Sequence, residues 1–75
     1  MNKARRKELA KAVELIERAR EIIEVVKDEE QDAFDNLPES LQSSERGERM
    51  EECISALEDF FDEVDTDDLV EIIES

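Results

Sequence analysis

Histidine, tryptophan and tyrosine are absent from this chain, and glycine, proline and cysteine occur once each. Without histidine the chain lacks the usual general acid–base group and the commonest zinc ligand, and its acidic residues lie in runs that we expect to be solvated. Cys53 has no second cysteine for a disulfide, and it falls on an apolar helix row, where we expect a small buried side chain rather than a nucleophile. These absences predict that the chain is not an enzyme and holds no cofactor.

The acidic run Asp62–Asp68 is the one stretch that suggests a metal ion. An EF-hand loop needs oxygen ligands at alternate positions, a central glycine and a glutamate at its last position. The run contains no glycine, and its ligand spacing does not fit. A di-metal carboxylate bundle requires Glu-x-x-His pairs, which a chain without histidine cannot form. The sequence therefore predicts no metal site.

Long apolar runs are also missing, so neither a membrane span nor a signal peptide is expected. We expect a soluble cytoplasmic protein with a free thiol, as is typical of a reducing compartment. The formal net charge of −14 disfavours direct binding to nucleic acid. Basic residues near the start of the chain are interpreted as a solvated helix end rather than a nucleic-acid arm: Lys3, Arg5, Arg6 and Lys7.

Aliphatic residues recur along the chain at spacings of three and four, which is the pattern of amphipathic helices. The first row, Leu9 to Phe34, predicts a helix over about 4–35. Pro38 cannot continue this helix, so we place a turn at 36–43. A second row from Met50 to Val64 predicts a helix over about 44–64, and the apolar residues that follow break the heptad and predict a short helix over about 67–74. Few stretches of the sequence favour β-strands, so the sequence predicts an all-α fold.

A connection this short favours antiparallel neighbours, so we expect residues 1–75 to form one antiparallel, coiled-coil-like helical hairpin. Facing residues then have numbers that add to about 80, which places Ile16 against Val64 and Gly47 against Ala33. Residues 1–20 hold seven basic and three acidic groups, and 58–75 hold nine acidic groups and no basic one. The fold would lay these two segments side by side.

The apolar face is wider than two helices require, and a core this small is marginal on its own. We therefore expect a homodimer that forms a four-helix bundle. Its core and dimer interface are predicted to comprise Leu9, Val13, Ile16, Ala19, Ile23, Val26, Met50, Ile54, Leu57, Phe60, Phe61 and Val64.

Two kinds of function remain open. The first is a structural or protein-interaction module that presents its apolar flanks to a partner. The second is a nucleic-acid mimic that inhibits a host DNA- or RNA-binding protein, since the carboxylates of 58–75 would recur about every 3 Å along a helix, close to the spacing of phosphates along a DNA strand. The acidic residues that would bind such a partner are Glu58, Asp59, Asp62, Glu63, Asp65, Asp67 and Asp68.

The central segment Asp28–Glu48, DEEQDAFDNLPESLQSSERGE, resembles a motif of small acidic helical proteins of unknown function that are encoded by bacteriophages and prophages. In those proteins the motif also joins two amphipathic helices. The resemblance implies a phage origin, the cytoplasm of a host cell and a hairpin fold, but it implies no catalytic residues. The motif coincides with the turn at Pro38, so it is interpreted either as a hinge or as a binding site.

Overall fold

The computed structural model describes residues 1–75 as four helices without a strand. They are α1 (Lys3–Asp35), α2 (Glu39–Gln42), α3 (Glu45–Glu63) and α4 (Asp67–Glu74). Helices account for 85% of the chain, which confirms the all-α prediction. The molecule measures 58 Å along its longest axis and 14 and 12 Å across. Helix α1 alone, at about 1.5 Å per residue, accounts for most of that length.

Side-chain and backbone caps fix both ends of α1. Asn2 precedes the helix, and its Oδ1 accepts a hydrogen bond of 2.8 Å from the backbone N–H of Arg5. At the other end the N–H of Asn36 donates to the carbonyl of Asp32, and the helix ends at Asp35, three residues before Pro38. Pro38 then occupies the position before α2, where its missing N–H costs nothing.

Gly47, in the first turn of α3, allows α2 and α3 to pack in close contact. It is buried, and a Cβ built on it would lie 2.1 Å from the carbonyl oxygen of Gln42 and 2.6 Å from that of Leu41. The sequence predicts Ala33 as the neighbour of Gly47; its nearest neighbours are instead the backbone atoms of α2. The hydroxyl of Ser44 caps α3 by accepting a 3.4 Å hydrogen bond from the N–H of Gly47.

A break separates α3 from α4. Helix α3 ends at Glu63, and the backbone of the following Val64 leaves the helical region at φ −96° and ψ 49°. The Oδ1 of Asp65 accepts a 3.1 Å hydrogen bond from the N–H of Asp67, which forms a tight turn. Thr66, between them, is buried with 8% of its surface exposed.

Helix α1 contacts both α3 and α4, and α2 contacts α3. Arg20 bonds to Phe61 near the end of α3, and Glu17, one turn earlier in α1, accepts a 3.5 Å hydrogen bond from Thr66. Toward the far end of α1, Glu30 borders a hollow together with Met50. Arg20 and Glu17 of α1 therefore lie near the end of α3 and the break after it, and Glu30 lies near Met50, earlier in α3. None of the four helices has an apolar stretch of the length that a lipid bilayer requires.

Candidate interaction surface

The α1 row that faces α3 is not purely apolar. Arg20 is half-buried in it; its Nε donates a 3.3 Å hydrogen bond to the backbone carbonyl of Phe61, and its guanidinium carbon lies 4.0 Å from the centre of the Phe61 ring. A planar cation stacked on an aromatic ring is attracted to it, and the arginine stem buries its methylenes. Sequence reasoning missed this contact because it searched the row for apolar side chains only. The available signal was that Arg20 lies four residues after Ile16 and three before Ile23.

The residues predicted for the core and dimer interface fall into two groups. Nine are partly buried along the contacts between the helices: Leu9, Val13, Ile16, Ile23, Met50, Ile54, Leu57, Phe61 and Val64. The other three are exposed: Ala19, Val26 and Phe60. No hydrophobic side chain of the chain is fully buried.

The exposed group belongs to a larger surface, which we call the outer apolar face: Leu15, Ala19, Ile22 and Val26 of α1, with Cys53 and Phe60 of α3. Leu15 is 66% exposed, Ile22 is 65% exposed and Phe60 is 53% exposed. The α1 members are spaced four, three and four residues apart, so they form one row about a quarter turn away from the row that faces α3. The α3 members are seven residues apart and also share a row.

Both rows border the same groove between α1 and α3. Cys53 lines a hollow in this groove together with Glu30 and Arg46. Glu30 is one helical turn after Val26, and Arg46 and Phe60 lie seven residues on either side of Cys53, so the exposed rows of both helices lie on this side of the molecule. The outer apolar face is therefore continuous across the two helices.

The opposite side of the α1–α3 pair is acidic. Two shallow hollows there have mostly polar rims, formed by Glu17, Glu21, Glu24, Gln31, Glu51 and Glu58. Within each helix these residues recur at intervals of seven, apart from Glu21. We call this side the glutamate face. A molecule with one acidic and one apolar side can bury only the apolar side against a second molecule at low cost.

All seven residues of the predicted acidic partner site are exposed: Glu58, Asp59, Asp62, Glu63, Asp65, Asp67 and Asp68. The break at Val64 divides them, so they do not follow one straight helix as the phosphate-spacing comparison assumes. Asp67 and Asp68 occupy the first turn of α4, where negative charge favours the helix dipole. These two carboxylates therefore have a structural reason for their positions.

Cys53 is exposed, so the prediction that it is a buried small side chain is wrong. It lies at the edge of the α1–α3 contact rather than within it. No three histidine, cysteine or acidic side chains come together in a way that could hold a metal ion. Comparison of the chain with protein-family models, with curated proteins and with solved structures gives no match.

Proposed function

We propose that this chain is a non-catalytic protein-interaction module, an antiparallel helical hairpin that associates with a second copy of itself through the outer apolar face. The observation that carries the proposal is the distribution of apolar surface. No hydrophobic side chain is fully buried in the single chain, while Leu15, Ile22 and Phe60 are each more than half exposed on one side. A second copy placed on this face would complete the hydrophobic core as a four-helix bundle.

The side of the molecule that carries the outer apolar face is large enough for a dimer interface. This whole side, 58 Å long and 14 Å wide, has an area on the order of 800 Å², which is about what each partner buries in a standard protein–protein interface, and the outer apolar face occupies part of it. Charged residues border the apolar rows: Arg18 lies on the edge of α1 away from α3, and Glu30 and Arg46 lie toward the turn. Polar residues around apolar contacts are the usual composition of an interface.

The resemblance of Asp28–Glu48 to small acidic phage proteins leads us to propose a phage accessory role in the host cytoplasm. The outer apolar face would serve the dimer. The glutamate face would remain free for a host protein, and a basic surface on that protein would complement it.

A single substitution tests the dimer. Ile22→Glu places a charge in the middle of the outer apolar face, where dimerisation would bury it, so we expect a monomer. Gln31→Glu is the matched control, since it adds the same charge on the glutamate face. Sedimentation equilibrium at micromolar concentration should give a dimer for the native chain and for Gln31→Glu, and circular dichroism should show that both variants remain helical. A monomeric native chain, or a dimeric Ile22→Glu variant, would refute the proposal.

A second candidate is the nucleic-acid mimic, and it is favoured by the exposure of all seven carboxylates between Glu58 and Asp68. Capture of proteins from host cells with the tagged chain separates the two functions. If nucleic-acid-binding proteins are recovered and DNA displaces them, the mimic is supported. Capture that DNA does not affect supports the interaction module.

A further inference from the structure

Building on the proposed dimer, we infer its internal arrangement: the two copies run in the same direction, and α1 of each copy packs across α3 of the other. The two-fold axis then lies parallel to the helices. Each α1 contacts α3 of its own chain on one side and α3 of the partner subunit on the other, and all neighbouring helices are antiparallel.

Only two face-to-face pairings are available. Because the outer apolar face spans α1 and α3 side by side, a second copy can place like helices together, α1 on α1 and α3 on α3, or it can cross them. In the like pairing the two copies point in opposite directions. In the crossed pairing both turns lie at the same end of the dimer.

Charge along the chain favours the crossed pairing. Residues 50–75 carry eleven acidic groups and no basic one, whereas residues 1–20 carry a net charge of +4. Pairing α3 with α3 brings two strongly acidic helices together, and like charges that face each other across an interface are costly. Crossing the helices places the basic part of α1 on the acidic part of the partner's α3.

Charged residues on the edges of the outer apolar face also find partners of opposite charge in the crossed pairing. Arg18, Val25 and Asp32 are exposed and seven residues apart on the edge of α1 away from α3, and Arg49, Ala56 and Glu63 form the corresponding row on α3. Because Arg20 contacts Phe61, these two residues lie level with each other along the helix axes. Arg18, two residues before Arg20, then lies level with Glu63, two residues after Phe61, and in the crossed dimer it lies beside Glu63 of the partner subunit.

The other end of the same edge gives a second pair of opposite charges, because Asp32 lies beside Arg49 of the partner subunit. Ile22 then lies within one residue of the level of Phe60 of the partner subunit. In the like pairing, a register centred on Val25 also brings opposite edge charges together, Arg18 with Asp32 of the partner subunit and Arg49 with Glu63 of the partner subunit. The choice between the two pairings therefore rests on the net charges of the segments, and the partner of Arg18 distinguishes them.

A distance between the two turns tests the arrangement. Cys53→Ala combined with Ser40→Cys moves the only thiol to an exposed site in α2, where a spin label can be attached. With a helical rise of about 1.5 Å per residue, the crossed dimer keeps the two labels within about 30 Å, whereas the like pairing separates them by more than about 40 Å. Pulsed electron–electron resonance measures both ranges. A long distance in an intact dimer overturns the inference and leaves the proposed function standing; a monomer overturns both.

Charge exchange tests the pairing itself. Arg18→Glu should weaken the dimer about tenfold, because two symmetry-related pairs are lost and two repulsions appear. Adding Glu63→Arg should restore the affinity. The control double variant, Arg18→Glu with Glu58→Arg, has the same net charge but places the new arginine on the glutamate face. It should not restore the affinity. Equal affinity of the two double variants would contradict the crossed pairing.

Discussion

Gly47 is one of only two buried residues, and its surroundings are backbone atoms. Alanine is ordinarily the better helix former by about 1 kcal/mol. At this position we expect the reverse, because the new Cβ would lie 2.1 Å from the carbonyl oxygen of Gln42 and the α2–α3 junction would have to open. Gly47→Ala should lower the free energy of unfolding by about 1–3 kcal/mol.

Urea unfolding followed by circular dichroism measures this change. Ser55→Ala, at an exposed position of the same helix, serves as the control and should shift the free energy of unfolding by less than about 0.5 kcal/mol. If Gly47→Ala unfolds at the same urea concentration as the native chain, the close packing of α2 on α3 is not what requires glycine.

Some individual contacts could not be predicted from the sequence. The hydrophobic pattern identifies Ile16 and Ile23 as neighbours of α3, but it gives no reason to place Arg20 between them. Arg20 can occupy this position because the carbonyl and the ring of Phe61 lie level with it along the helix axes. Only the packing of α3 on α1 determines that position of Phe61. Thr66 is similar, since its burial against Glu17 depends on the break after Val64.

At the scale of elements, Gln42 fastens the end of α1 to α2. Its Nε2 donates hydrogen bonds of 3.1 and 3.2 Å to the carbonyls of Phe34 and Leu37 at the end of α1, and the Phe34 carbonyl also accepts from the N–H of Leu37. Gln42→Ala removes both bonds, and we expect the free energy of unfolding to fall by about 1–2 kcal/mol.

A second glutamine provides the comparison. Gln31 donates a 3.0 Å hydrogen bond to Asp35 within α1, and that bond is exposed. Gln31→Ala should therefore cost less than about 0.5 kcal/mol in the same urea experiment. Equal losses for the two variants would mean that Gln42 contributes nothing beyond an ordinary surface contact.

Periodicity predicted the helical class well. It could not decide which part of a wide apolar face meets α3. Val26 and Ile23 both lie on the predicted face of α1, yet Ile23 is partly buried while Val26 remains 46% exposed. The choice between them depends on the rotation of α1 about its axis. Contacts of α3 and α4 set that rotation together, and no local pattern encodes it.

At the scale of the whole molecule, the face-to-face arrangement makes a prediction about shape. Two rods that share a side give a dimer that is wider but hardly longer, so its longest dimension should stay near the 58 Å of the single chain. Association through the ends would instead give roughly twice that length. Small-angle X-ray scattering distinguishes the two shapes, and the Ile22→Glu variant, with an expected radius of gyration near 17.6 Å, provides the monomer reference.

The bond between Glu17 and Thr66 joins residues 49 positions apart. On the ribosome α1 is made first, and every side chain that covers it is added afterwards. At about 5–20 residues per second, about 2–10 s separate the synthesis of Glu17 from that of Thr66. The bond between them can therefore form only when nearly the whole chain has been made, so α1 completes its packing late, after α3 and the break that follows it exist.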